Sequence, residues 1–288
     1  MDNLKYSAIT KNFIAGWSSL VARQAHNLKV LGSNPSPATK FVKSFSYKNS
    51  SFMNRIKSIS LIIPVYKDGN TVKLMIEKSF KVLKKISKKF EIIIIDDCCP
   101  QKSGEIALSI SKKIKQVKVF FHNKNKGYGA ALKTGLKKCK NNWIFMIDGD
   151  NEYEVNEIYK LMKESINHDL IITYRYKKKY NLYRKIVSWS YNLILRSIFN
   201  INFKDISSGS RLVSKKLINK IKINTNGPFF GAELAIKSKY ENFRIKEVGI
   251  NTNLRKFGEG SIVNISNIIL TIKEIIILFI KIHLKYKI

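Results

Sequence analysis

Cysteine, histidine and acidic residues are all scarce in this chain, and each shortage removes a class of function. The three cysteines, Cys98, Cys99 and Cys139, make no disulfide framework and suit a reducing cytosol. Adjacent Cys98 and Cys99 read as a small-residue turn rather than a redox pair. The four histidines, His26, His122, His168 and His283, lie far apart without metal-ligand spacing, so none is given a role. No uninterrupted apolar run reaches the roughly 18 residues a spanning helix needs. No charged segment followed by an apolar core opens the chain, so a signal peptide is not expected.

The shortage of acid is the most telling. Against 53 Lys+Arg there are 20 Asp+Glu, a net charge of +33 over 288 residues. Such an excess favours phosphate-bearing or anionic partners: nucleic acid, nucleotides or membrane lipid. The lysines are spread along the chain, and abundant Lys, Ile and Asn point to AT-rich codons. An arginine-rich arm, zinc-finger spacing and an RNA-binding aromatic signature are all missing, which makes a basic nucleic-acid-binding protein the second choice.

Hydrophobic content of 44% and a length of 288 residues suffice for one α/β domain with appendages. Residues 1–52 lack sustained periodicity and read as a disordered leader. Part of this leader also resembles the conceptual translation of a transfer-RNA gene: Gly32-Ser-Asn-Pro35 can be encoded by GGTTCGAATCC, and Ala25-His-Asn27 by GCTCATAAC. The expectation is therefore a true start at Met53.

From there strands and helices alternate. Ser58–Val65 reads as a strand buried on both faces, ended by Asp68-Gly69-Asn70. Thr71 is placed to cap a helix whose apolar stripe is Val72, Met75, Ile76, Phe80 and Leu83. A strand over 91–95, a helix over 103–114, a strand over 117–121, a helix to about Cys139 and a strand over 143–147 follow. This repetition predicts a mostly parallel, Rossmann-like sheet with helices on both faces and ligands beyond the carboxyl ends of its strands.

Asp68, Asp97 and the Asp148/Asp150 pair all fall at such ends. Two carboxylates one residue apart, on a turn loosened by Gly149, can share a hard cation and leave part of its shell for phosphate oxygens. Lys124, Lys126 and the backbone of Gly127–Gly129, at a helix N-terminus, are placed to meet phosphate. No Gly-x-Gly-x-x-Gly follows the first strand, which argues against a plain dinucleotide-binding domain. A nucleotidyltransferase should likewise show a glycine-rich phosphate loop there.

Ile62-Ile-Pro-Val-Tyr66, Ile95-Asp-Asp97, Asn125-Lys-Gly-Tyr-Gly-Ala-Ala131 and Asp148-Gly-Asp150 stand in an order that resembles family 2 glycosyltransferases, especially the dolichyl- or polyprenyl-phosphate sugar synthase branch. The resemblance runs from about Ser58 to Ser261. It implies a GT-A fold, a UDP- or GDP-sugar donor, Mg²⁺ or Mn²⁺, and inversion at the anomeric carbon. Carried over by position, Pro64, Tyr66, Asp68 and Asp97 line the nucleotide pocket, Lys126, Gly127 and Gly129 flank the donor, and Asp148 and Asp150 hold metal and diphosphate. Glu152 stands where that branch often has Gln, Asp68 replaces a frequent Glu, and Cys98-Cys99 replaces Gly-Ser.

The second half is read for the acceptor. A strand over 171–175 places Arg175 at its end, and residues 177–199 form a basic, aromatic, helical stretch whose Trp189 and Tyr191 suit a membrane interface. Asp205-Ile-Ser-Ser-Gly-Ser-Arg211 and Gly227-Pro-Phe-Phe-Gly-Ala-Glu233 resemble the family's acceptor-side elements. Arg255-Lys-Phe-Gly-Glu-Gly-Ser261, after a strand over 246–250, resembles its loop that closes over donor phosphates. If the acceptor is polyprenyl phosphate, Arg175, Arg211 and Arg255 are expected to hold it; if it is a saccharide hydroxyl, as in cell-surface polysaccharide synthesis, Glu233 is the expected base. Residues 261–286 read as an amphipathic helix lying on the domain or on an anionic membrane, which puts the protein at the inner face of the membrane.

Overall fold

Among the described residues of the computed structural model, seven strands form one sheet in the order β3-β2-β1-β4-β6-β5-β7. The structure describes residues 58–176, 182–253 and 265–286, all within the unit Asn49–Ile288. The leader over 1–52, with the proposed start at Met53, and the loop carrying Arg255 and Ser261 lie outside the described residues.

The strands are β1 Ser58–Val65, β2 Lys89–Asp96, β3 Val117–Phe121, β4 Trp143–Met146, β5 Leu170–Arg175, β6 Arg211–Ser214 and β7 Ile245–Ile250. The helices are α1 Val72–Ile86, α2 Ser103–Ser111, α3 Tyr128–Lys138, α4 Ile158–Glu164, α5 Leu182–Phe199, α6 Lys215–Lys220, α7 Phe230–Tyr240 and α8 Ile265–Tyr286, with a 3₁₀ turn at Val155–Glu157.

β1 pairs in parallel with both β2 and β4, and β2 with β3, so these four strands point the same way. β6 runs against both β4 and β5, while β5 and β7 are parallel. The sheet is therefore mostly parallel, as expected, with one reversed strand that the sequence pattern did not reveal. Arg211-Leu-Val-Ser214 has four residues and follows a Ser/Gly-rich segment, too short to show a period of two. The helices α4, α6 and α7 were not anticipated either. In α7 every residue from Phe230 to Ile236 is buried, so no polar face marks a helical rhythm.

Alternation along β1 divides the core into two layers. Ile59, Leu61 and Ile63 pack with Met75, Ile76 and Leu83 of α1 and with Ile158 and Leu161 of α4. Ile62 joins the opposite layer, with Leu132 of α3, Leu195 and Phe199 of α5, Phe230 of α7 and Leu278 of α8. Thr71 does not cap α1 with its side chain; its hydroxyl instead donates to the carbonyl of Gly149 at 2.7 Å, tying α1 to the turn after β4.

The chain lays down β1, β2 and β3 outward and then returns to place β4 on the other side of β1. Parallel strands that diverge in this way leave a crevice at their carboxyl ends. The segments after β1, β2 and β4 meet there: Asp97 N donates to Val65 O at 3.1 Å and Ile147 N to Ile62 O at 3.2 Å.

Candidate active site

Asp148 and Asp150 follow β4 directly, on the rim beside the end of β1. Asp148 is half-buried and accepts a hydrogen bond from the Tyr128 hydroxyl at 2.8 Å on Oδ1. Asp150 is buried and accepts the backbone N–H of Glu152 at 2.9 Å on Oδ1. Gly149 between them packs against the Pro64 carbonyl, Val65 and the Asp68 carboxylate. Asp68 accepts the Tyr66 N–H at 2.9 Å, and Tyr66 itself is exposed. Pro64, Tyr66 and Asp68 therefore share one rim with the acidic pair.

Asp97, expected in the nucleotide pocket, is 3% exposed and committed to the protein. Its carboxylate accepts the N–H of Lys126 and of Gly127, each at 2.8 Å, and contacts His122 Nδ1 at 2.6 Å. Gly127, at φ +95°, takes a backbone shape that disfavours a side chain, which lets the loop fold back onto this carboxylate. Asp97 thus fills the start of α3 from within, much as a bound anion would. The N–H groups of Lys126 and Gly127 were expected to face phosphate; they are spent on Asp97, and Ala130 N donates to Asn226 O at 3.1 Å. The side chains of Lys124 and Lys126 are exposed.

His122 lacks metal-ligand spacing in the sequence, yet it has a structural role. Its position just after β3, on the same rim as Asp97, was the signal. The imidazole bridges Asp97 and the Thr134 hydroxyl of α3, the latter at 2.9 Å from Nε2. Tyr128 was also missed, although it sits inside the quoted Asn125–Ala131 motif. Burial and the adjacent Asp148 charge push the Tyr128 phenol well above its ordinary pKa, so it remains a donor.

Gly209 closes the other side of Asp148. A Cβ on Gly209 would lie 2.0 Å from Asp148 Oδ2, so only a glycine lets this backbone pass. The same residue's N–H donates to the Tyr153 hydroxyl at 2.9 Å.

The acceptor-side residues are placed differently from expectation. Arg175, with its side chain 6% exposed, holds Asp205 through Nε at 2.8 Å and Nη2 at 3.1 Å, and reaches Glu152 at 3.4 Å and Ser207 at 3.2 Å. It is a strut between the turn after Asp150 and the 205–210 segment. Arg211 is 5% exposed, its guanidinium set against Gly231 and bonded to the carbonyls of Ile206 and Ser208. Neither arginine presents its guanidinium to the surface, because each is bonded to the 205–210 segment.

Glu233, the expected base for a hydroxyl acceptor, is buried and already partnered. It is 2% exposed, and its carboxylate accepts the N–H groups of Asn224 and Thr225 and pairs with Lys237. Burial alone would raise its pKa, but Lys237 and Thr225 outweigh that and hold it below the usual glutamate value. A carboxylate so stabilised is a poor proton acceptor.

Asp148 and Asp150 are the two carboxylates of this rim that could hold a metal. Among the described residues no cluster of at least three His, Cys, Asp or Glu is arranged to hold an ion. Two carboxylates suit Mg²⁺ or Mn²⁺, hard ions that take their remaining oxygens from water and diphosphate.

The sequence matches the family described as Glycosyl transferase family 2 over residues 60–222, the larger part of the chain. It is 29% identical over 143 residues to the undecaprenyl-phosphate 4-deoxy-4-formamido-L-arabinose transferase of Pectobacterium atrosepticum, covering 49% of this chain and 44% of that protein. It is 27% identical over 212 residues to the dolichol-phosphate mannosyltransferase of Pyrococcus furiosus, covering 71% of this chain and 59% of that one. The chain thus spans about half the length of these curated relatives. Among solved structures, glucosyl-3-phosphoglycerate synthase from Mycobacterium tuberculosis in complex with Mn²⁺, UDP and phosphoglyceric acid superposes with a TM-score of 0.63 at 14% identity, covering 78% of each chain. This likeness shows the GT-A fold, and the family match over residues 60–222 shows that the chain belongs to glycosyl transferase family 2.

Proposed function

We propose that the chain transfers a sugar from a UDP- or GDP-sugar to polyprenyl phosphate at an anionic membrane surface, with Mg²⁺ or Mn²⁺ held by Asp148 and Asp150. One observation carries this reading. The acidic pair after β4 and the nucleotide-side loop after β3 are a single bonded unit, running from Asp97 through Gly127 and Tyr128 to Asp148, at the point where the strand order reverses. The relatives named for undecaprenyl-phosphate and dolichol-phosphate support the acceptor class, and the Mn²⁺- and UDP-bound neighbour supports the donor chemistry.

The divalent ion would take up the charge that builds on the departing nucleoside diphosphate. Asp148 and Asp150 would orient it, while Arg175 ties Glu152 to Asp205 beside them. Glu233 is spent on its loop, which fits an acceptor that arrives already ionised and needs no base. A phosphate acceptor has that property; a saccharide hydroxyl does not.

Two helices support the membrane placement. On α5, Ile186 and Trp189 are exposed, and Trp189 lines a groove together with Lys185, Arg196 and Lys204. On α8, Ile275, Leu278 and Ile282 pack into the core while Ile269, Ile272 and Ile276 face outward beside Lys273. An apolar face flanked by cations suits the boundary between lipid headgroups and acyl chains. No helix among the described residues is long and apolar enough to cross a membrane.

The test is incubation with labelled UDP- and GDP-sugars, Mn²⁺ or Mg²⁺, and polyprenyl phosphate in vesicles. Metal-dependent appearance of a lipid-linked sugar is expected. Transfer only to soluble glycan, or turnover unaffected by chelation, would overturn the acceptor or the metal assignment respectively.

A further inference from the structure

The Tyr128 hydroxyl touches no part of the rim except the acidic residue that the proposed reading assigns to metal and diphosphate, so far as the hydrogen bonds of the described residues go. Three constraints converge on this one phenol. Tyr128 opens α3 immediately after Gly127, whose φ of +95° and whose N–H bond to Asp97 fix where the helix begins. His122 ties the same carboxylate to Thr134, six residues or about 1.7 turns further along α3, so the helix cannot slide relative to β2. On the far side of Asp148 the backbone of Gly209 abuts Oδ2, leaving the carboxylate little room to swing away from the phenol.

We propose that Tyr128 is a positioning residue for the metal-binding carboxylate: its hydroxyl fixes the rotation of Asp148 and links that rotation to the Asp97-held donor loop. A carboxylate that turns freely must be ordered each time an ion binds, and a donor that holds one oxygen removes that cost in advance. The link also predicts direction of coupling. Nucleotide that settles the loop over residues 122–127 would settle Asp148 with it, so nucleotide and metal would each tighten the other's binding. This inference rests on the metal reading above.

The experiment is a Mn²⁺ titration followed by electron paramagnetic resonance on the full chain, with and without UDP or GDP. Wild type with nucleotide should bind Mn²⁺, and Asp148→Asn should abolish it. Tyr128→Phe keeps the ring and loses only the hydroxyl; it should raise the Mn²⁺ dissociation constant about tenfold. It should also shrink the nucleotide-induced gain in Mn²⁺ affinity while leaving metal-free nucleotide binding within about twofold. A merely structural role would instead lower the unfolding temperature and weaken all ligands alike. A Mn²⁺ constant for Tyr128→Phe within about twofold of wild type, in a protein whose wild type binds the ion, would overturn the positioning role and leave the proposed activity standing. Wild type that binds no Mn²⁺ with either nucleotide would overturn both. Should Tyr128→Phe not fold, Thr134→Val tests the same link through α3: unchanged nucleotide–metal coupling there would overturn the proposal.

Discussion

Asp97 and Glu233 are two buried carboxylates doing the same physical work in the two halves of the molecule. Asp97 gathers the N–H groups of Lys126 and Gly127; Glu233 gathers those of Asn224 and Thr225. The two loops they hold then touch, through Ala130 N and Asn226 O. Yet the halves differ in what they leave at the rim. Around β1, β2 and β4 the strands run in parallel and deliver Asp68, Asp148 and Asp150 to one edge. Around β6 alone the direction reverses, and Arg211 at its start is buried, while Arg175 at the end of the parallel β5 is drawn in by Asp205 as a strut. A parallel sheet collects strand-end residues at one place, whereas a reversed strand brings its first residue there with its side chain already packed.

The sharpest way to break this comparison is at the rim. Asp150→Ala should cut transfer by about a thousandfold, the loss of roughly 4 kcal/mol of transition-state stabilisation, with the fold retained by circular dichroism. Undiminished turnover would remove the metal from Asp148 and Asp150. Gly209→Ala comes next. Its methyl group must displace the Asp148 carboxylate, so transfer should fall by about a hundredfold while stability drops by about 1–3 kcal/mol. Normal activity would mean that Asp148 tolerates another orientation.

Glu233→Gln separates a clamp from a base. As a clamp it should cost about 3 kcal/mol at neutral pH, the scale of breaking a buried pair, and leave transfer by the folded fraction within a few-fold. Because the folded pKa is depressed, the Glu233 contribution is complete above the unfolded-chain value of about 4.3 and disappears as pH falls through that value toward the lower folded one. Denaturant titrations should therefore show wild type and Glu233→Gln converging in acid. Loss of activity with unchanged stability would restore Glu233 as a base.

The smallest effect expected is at the outer helices. Trp189→Ala combined with Ile272→Asp should weaken binding to anionic vesicles about tenfold, from lost apolar contact, without shifting the unfolding transition. Unchanged vesicle binding would sever α5 and α8 from the membrane reading.

The sequence read differently in these two halves for a physical reason. Ser58–Val65, Val117–Phe121 and the apolar stripe of α1 were legible because burial on a sheet or on one helix face leaves a short period in the residues themselves. The acidic rim was legible too, since a carboxylate just past an apolar strand emerges at its end. β6 and α7 left no such trace, being a four-residue strand and a helix buried nearly all round.

Composition and pattern alone therefore determined an α/β chain, its strand-end acids and its family likeness, because those depend on residues near one another in sequence. Which polar groups are spent and which remain for chemistry was decided only by the fold. Asp97 meets Gly127 across 30 positions, Tyr128 meets Asp148 across 20, and Arg175 meets Asp205 across 30. A hydrogen bond requires placement to within a few tenths of an ångström, and at such separations only the packed sheet supplies it.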